Sequence, residues 1–130
     1  MSIKYKMVRR GDYINPEGKK KEGYYPQVVR LDTLKIRELS KLASSETTLH
    51  RIEIEASLRM VIDHIEKELL NSNHVCLDGF GTFSLSAESI RRAENPDDIR
   101  AESIKVKRVV FIPSKTLMKR IKNAKFERMR

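Results

Sequence analysis

Between residues 51 and 70, Ile54, Leu58, Val61, Ile62, Ile65 and Leu69 recur at i, i+4, i+7, i+8, i+11 and i+15, the spacing that lays side chains along one face of an α-helix. Ile52, Ala56, Met60 and Leu70 widen the stripe. Its apolar surface exceeds what one short neighbour covers, so the spacing predicts burial against a second copy of the chain. At 130 residues the chain is one domain's length, near the size at which a partner subunit often completes the core.

On either side of this helix the pattern changes. Residues 34–43 place Leu34, Ile36, Leu39, Leu42 and Ala43 at helical spacing, with Asp32 and Thr33 positioned to cap the start. Ser44 to Thr48 is a polar break, and Asn71-Ser72-Asn73 ends the long helix. Residues 74–85 predict a hairpin. VCL and TFSLS alternate around Asp78-Gly79, a dipeptide that accepts the positive φ angles of a type I′ turn. A phosphate-binding loop needs more glycines, and a Lys followed by Ser or Thr, than Gly79-Phe80-Gly81 offers.

Residues 86–103 carry two readings. Asn95-Pro96-Asp97-Asp98 has the cap, the proline and the acids of a helix start, and the same Asn-Pro also suits the turn of an extended β-arm. Residues 104–112 are β-rich with broken alternation: Val109 and Phe111 share one parity, Ile104, Val106 and Val110 the other. A bulge near Lys107-Arg108, or burial on both faces, reconciles them. Pro113 and Ser114 then lead into a terminal helix with Leu117, Ile121 and Ala124 facing inward and Lys115, Lys119 and Lys122 forming a cationic ridge.

Two further strands are expected over residues 3–8 and 24–30, joined by a Gly-, Pro- and Lys-rich surface connection, and Pro26 puts the second at a sheet edge. The chain therefore divides into a β extension, residues 1–30, packed on a main domain, residues 31–130.

Charge narrows the function. Residues 104–130 hold ten Lys/Arg against one acid, residues 1–30 eight against three, and residues 31–103 nine against fourteen, within a net charge of +9. A basic segment so concentrated suits a polyanion, nucleic acid first and an anionic membrane second, against the plainer alternative of a solvated face. The chain lacks a run apolar enough for a membrane span and shows no secretory signal, so a cytoplasmic location is expected. The single cysteine, Cys76, lies in an apolar strand and is expected as a small buried hydrophobe. His50, His64 and His74 are isolated, and Glu53/Glu55 and Glu66/Glu68 sit two apart on a helix, where side chains do not face each other. Catalysis, a metal site, a cofactor and a small-molecule substrate are therefore not expected.

Val75, Leu77, Gly79, Phe80, Gly81, Thr82 and Phe83 (V-x-L-x-GFGTF), then Asn95-Pro96, then Phe111-Ile112-Pro113-Ser114-Lys115 with Leu117 and Lys119, resemble the HU and integration-host-factor family of bacterial histone-like DNA-binding proteins. The match covers roughly residues 34–122, and the opening strands resemble an N-terminally extended subgroup. The resemblance implies an α+β fold of two helices, a three-stranded antiparallel sheet and a C-terminal helix, assembled as an intertwined homodimer with the β-hairpin extension added. It also implies a nucleoid-associated, architectural protein that binds double-stranded DNA with little regard to sequence. Family arms enter the minor groove, where a proline wedges between base steps, and this places Pro96 as the possible wedge. Here Ser86, Glu88, Ala93 and Glu94 stand where family arms are basic, and Asp97 and Asp98 follow Pro96 directly. Phosphates repel carboxylates at that point, so a shortened or partly helical arm is expected, with Pro96 at a helix start. The expected DNA contacts are Lys105, Lys107, Arg108, Lys115, Lys119 and Lys122, supplemented by Arg91, Arg92 and Arg100. The alternative is a structural or protein-interaction module on the same fold with DNA binding reduced or absent.

Overall fold

The computed structural model describes residues 1–10 and 23–130, and the connection expected over 11–23 falls, Gly23 excepted, outside them. The elements follow the chain as β1 (Ser2–Arg10), β2 (Gly23–Val28), α1 (Ile36–Ser45), α2 (Arg51–Leu70), β3 (Val75–Leu77), β4 (Gly81–Ser89), β5 (Ile104–Pro113), α3 (Lys115–Lys122) and β6 (Lys125–Arg128). Two 3-10 turns, Pro96–Asp98 and Ala101–Ser103, interrupt the path from β4 to β5. The chain forms two units, one made of Met1–Thr33 with Arg120–Arg130, the other of Leu34–Lys119.

The larger unit is an α+β assembly of α1, α2 and the antiparallel sheet β3-β4-β5. Helix α1 starts two residues later than the apolar spacing predicts. Lys35 is its N-cap in place of Asp32 or Thr33, because the Glu38 carboxylate reaches back to accept from the Lys35 N–H at 3.0 Å. That contact satisfies one of the donors left orphaned at a helix start. Helix α2 is capped by His50, whose Nδ1 accepts from the Ile52 N–H at 3.2 Å. Its far end closes with Ser72 at φ 67, the Asn73 N–H donating to the Glu68 carbonyl and the Ser72 N–H to the Leu69 carbonyl. This paired pattern reverses the chain after the last helical turn. Ser40, buried in α1, donates its hydroxyl to the Ile36 carbonyl at 2.7 Å.

The β3–β4 hairpin departs from the expected type I′ turn. Leu77 pairs with Gly81, leaving Asp78, Gly79 and Phe80 in the loop. Only Gly79 has positive φ, at 77°, whereas a type I′ turn needs it at both central positions. The Phe80 N–H closes the turn onto the Leu77 carbonyl at 2.9 Å. Cys76 also departs from expectation. It is exposed, with Sγ 3.8 Å from Asp78 Oδ1, because its pairing with Thr82 puts it on the polar side of the sheet.

The rest of the GFGTF motif serves Phe111 on β5. The Phe111 ring lies between Phe80 and Phe83, with centroids 5.3 and 4.9 Å away, in tilted arrangements that add to simple burial. A methyl group at Gly81 would overlap that ring and lie 2.7 Å from the Ile112 carbonyl oxygen. Glycine is required at Gly81 by the closeness of the neighbouring strand, and at Gly79 by backbone conformation.

The smaller unit is the sheet β2-β1-β6, with β2 antiparallel and β6 parallel to the central β1. Pro26 lies on the edge strand β2, as its missing N–H requires. Strand β6 lies beyond what the alternation predicted, and Ala124 falls after the end of α3 rather than on it. Register gives this sheet two unlike faces. Ile3, Tyr5, Met7, Pro26, Val28 and Phe126 share one with Arg9 and Arg128, the Tyr5 and Phe126 rings standing edge to face. Lys4, Lys6, Val8, Tyr25, Gln27, Lys125 and Glu127 share the other.

Among the described residues Leu69 is the one large apolar side chain that is buried, at 8% exposure. Met60, Val61 and Ile62 on α2, and Val106, Val109 and Phe111 on β5, are all exposed. Among the described residues no helix is long and apolar enough to cross a membrane.

Gly81→Ala is expected to lower the unfolding free energy by about 1–3 kcal/mol, the usual cost of overpacking. Gly79→Ala is expected to cost about 1 kcal/mol from backbone strain alone. Urea denaturation of both variants checks the order, and equal stability of parent and Gly81→Ala would disprove the tight approach to Phe111.

Candidate nucleic-acid interface

Strand β5 carries cations among apolar residues, and a sheet sorts its side chains by parity. From Pro113 back to Arg108, β5 pairs regularly with Gly81 to Ser86 of β4. The register then shifts: Ser86 faces Arg108 but Ala87 faces Val106, so Lys107 is an extra residue on β5. This is the bulge that the broken alternation called for. Partners across an antiparallel ladder share a face. Val106 and Ile104, opposite Ala87 and Ser89, are thereby returned to the face of Val109, Phe111, Phe83 and Leu85. Lys105, opposite Glu88, falls on the other face with Arg108, opposite Ser86. One inserted residue thus separates a continuous apolar face from a face bearing both cations. The Ser86 hydroxyl donates to the Arg108 carbonyl at 3.4 Å beside the irregularity.

Helix α3 follows β5 after the single residue Ser114. The Ser114 N–H donates to the Phe80 carbonyl at 2.9 Å, and its Oγ accepts from the Leu117 N–H at 3.0 Å, which caps the helix. The hairpin loop therefore holds the residue that starts α3. Lys115 and Lys119 stand one turn apart, with Lys122 a turn further on, and all three are exposed. Leu117 is half-buried, whereas Ile121, expected to face inward, is half exposed.

The third group is differently placed. Arg91, Arg92 and Arg100 lie on the excursion between β4 and β5 and are exposed. Asn95 Oδ1 accepts from the Asp97 N–H at 3.2 Å, so Pro96 opens a 3-10 turn. Strand pairing meanwhile continues to Ser89 opposite Ile104. The segment therefore combines a short strand extension with turns. Arg91 and Arg100 line one hollow with Asp97, Asp98 and Glu102, so cations and acids are mixed there.

Among the described residues, no carboxylate lies within 4.0 Å of the charged atoms of Lys105, Lys107, Arg108, Lys115, Lys119 or Lys122. Lys105, Lys107, Arg108, Lys115 and Lys119 are exposed cations of the larger unit, and Lys122 belongs to the smaller one.

The family model described as an HU domain fused to a wHTH, Ig or glycine-rich motif, HU-HIG, matches residues 1–128. The chain belongs to the HU-HIG family. Among curated proteins, the HU-HIG chain is 34% identical over 86 residues to the DNA-binding protein HU of Buchnera aphidicola subsp. Baizongia pistaciae, covering 65% of this chain and 94% of that one. It is 30% identical over 93 residues to the integration host factor subunit alpha of Escherichia coli O9:H4, covering 71% and 94%. A solved structure of a Bacteroides vulgatus protein, proposed to bind DNA, matches with a TM-score of 0.69 at 12% identity. That alignment takes in 98% of this chain and 48% of the other, so the HU-HIG chain spans about half of that protein's length. The fold is thereby an HU-like α+β fold with added strands, and its family is not one of enzymes.

Sequence reasoning missed strand β6, which places Lys125 on the same face of the sheet as Lys4 and Lys6. Strand β6 is four residues long and pairs with the opposite end of the chain, and neither length nor alternation marks such a partner.

Ser114→Ala is expected to destabilise the chain by about 1 kcal/mol through loss of the α3 cap. Because no charge is removed, any accompanying fall in polyanion affinity reports on how firmly Lys115 and Lys119 are positioned. Denaturation paired with duplex titration at fixed salt measures both.

Proposed function

We propose that this chain is an architectural, largely sequence-independent double-stranded DNA-binding protein that acts as a homodimer in the nucleoid. The observation that carries the reading is the bulge at Lys107, which sets Lys105 and Arg108 on the face of β5 opposite Ile104, Val106, Val109 and Phe111. The relationship to proteins named as DNA-binding HU and integration host factor supports the same reading.

The chemistry is phosphate neutralisation. Lys105, Lys107, Arg108, Lys115, Lys119 and Lys122 contact the sugar-phosphate backbone, and each contact releases condensed counterions. Arg91, Arg92 and Arg100 contribute less, since Asp97, Asp98 and Glu102 surround Arg91 and Arg100, and Glu94 and Asp98 lie around Arg92. Lys115 at the first turn of α3 opposes the helix dipole, at a cost of about 0.3–1 kcal/mol. A phosphate near that residue offsets the cost. The reading needs no wedge at Pro96, which the two following acids disfavour.

The open apolar surface supports the homodimer. With Leu69 alone buried among large apolar side chains of the described residues, the exposed stripes of α2 and β5 call for cover, and a second copy supplies complementary surface at no cost in new sequence.

The test is duplex affinity against salt for the parent and for Lys115→Ala/Lys119→Ala. Log affinity is expected to fall linearly with log salt, and the variant to flatten the slope by about 0.9 for each phosphate it no longer neutralises, equally for unrelated sequences. Binding to a generic duplex that hardly changes with salt would overturn the reading and favour the protein-interaction module. Sedimentation is expected to give a dimer, and a stable monomer at micromolar concentration would remove the homodimer.

A further inference from the structure

The two units divide the charge very unequally. Met1–Thr33 with Arg120–Arg130 carries thirteen Lys/Arg against five acids, whereas Leu34–Lys119 carries fourteen against thirteen. The smaller unit therefore holds +8 of the net +9. Residues 11–22 contribute three of each sign, so the excess resides entirely on the described part of that unit.

Register directs part of this charge to one side. On the central strand β1, Lys6 faces Gln27 of β2, and Ser2 faces Lys125 of β6. Lys4 is ion-paired with Glu127 on the same face. Lys6 and Lys125 are exposed and, among the described residues, have no carboxylate within 4.0 Å. Gln27 and Tyr25, also on this face and exposed, are neutral hydrogen-bonding groups of the kind that supplement cations at phosphates. The opposite face carries Ile3, Tyr5, Met7, Val28 and Phe126 together with Arg9 and Arg128, so the side of Lys4, Lys6 and Lys125 is the less apolar of the two.

We infer that the β2-β1-β6 sheet is a second DNA-binding surface, contacting duplex phosphates through Lys6 and Lys125, with Lys4 held in reserve by Glu127. The inference rests on the proposed function for the choice of duplex DNA over other polyanions. Two cationic surfaces in one chain that engage the same polymer add their counterion release, so the salt slope counts phosphates neutralised by both. The ion pair to Glu127 makes Lys4 a cation whose charge is already answered, and removing the carboxylate makes it available.

Lys6→Gln/Lys125→Gln and Glu127→Gln, each in the full chain, test the idea against a generic duplex over a salt series, beside Lys115→Ala/Lys119→Ala. Lys6→Gln/Lys125→Gln is expected to flatten the log–log slope by about 1.8, at about 0.9 per phosphate, with an unchanged unfolding midpoint, and Glu127→Gln to steepen it. If Lys115→Ala/Lys119→Ala flattens the slope while Lys6→Gln/Lys125→Gln and Glu127→Gln leave it unchanged, the second surface is overturned and the proposed function stands. If only the sheet variants move it, the second surface stands and the α3 contacts fall. Loss of binding to phosphatidylserine vesicles but not to duplex in Lys6→Gln/Lys125→Gln would assign the surface to membranes and overturn the inference.

Discussion

A β-strand has two faces, and one inserted residue exchanges them for everything beyond it. Lys107 is that residue in β5. Were Lys107 paired in regular register instead of bulged, Val106 and Ile104 would fall on the side of Arg108, and Lys105 among Val109 and Phe111. A cation on the apolar face would need a partner or would strip its own hydration, and the hydrophobic side would lose its two outermost members. The separation of Ile104, Val106, Val109 and Phe111 from Lys105 and Arg108 thus depends on a local irregularity rather than on a perfect alternating sequence. The irregularity holds because the strand on its far side is pinned: Phe111 is set between Phe80 and Phe83, against a position where only glycine fits.

From that anchor the order of events along the chain makes physical sense. The loop that presents Phe80 also receives the N–H of Ser114, and Ser114 in turn caps α3. Hairpin, strand and helix are joined by hydrogen bonds within a few residues of one another, so the cations of β5 and α3 are carried by one continuous, locally fastened segment. The motif that looks at first like a candidate phosphate loop is a structural clasp. Its glycines serve a turn and a close approach.

The helices, the hairpin, the bulge and the cationic ridge were legible because each is written in short-range periodicity. Departures from local periodicity were not. The start of α1 is fixed by Glu38 folding back on Lys35, a choice between neighbouring residues that propensity leaves nearly degenerate. The hairpin kept its glycine but not its expected turn, since a dipeptide signal does not fix loop length when Gly81 must pair with Leu77. Cys76 has an apolar composition around it yet a polar-side parity. Most hidden was β6, whose partner Ser2–Tyr5 lies at the other end of the chain, where no local pattern reaches. The candidate cations themselves were visible as a run, but their partition between two units required the strand pairing.

That partition changes what the net charge means. At physiological ionic strength screening acts over about 8 Å, so a charged region is felt through its own composition rather than through the total for the chain. The run of ten cations over residues 104–130 looks like one basic tail in sequence. Pairing splits it: those up to Lys119 belong with thirteen acids, and those from Arg120 onward join a unit that carries almost the whole surplus. The excursion shows the opposite arrangement, with Arg91 and Arg100 set among Asp97, Asp98 and Glu102. In a family resemblance alone, that excursion would be the place to look for the strongest attraction to DNA. In this chain acids surround the arginines there, and the unit with the added strands carries the positive surplus where the sequence resemblance to HU is least informative.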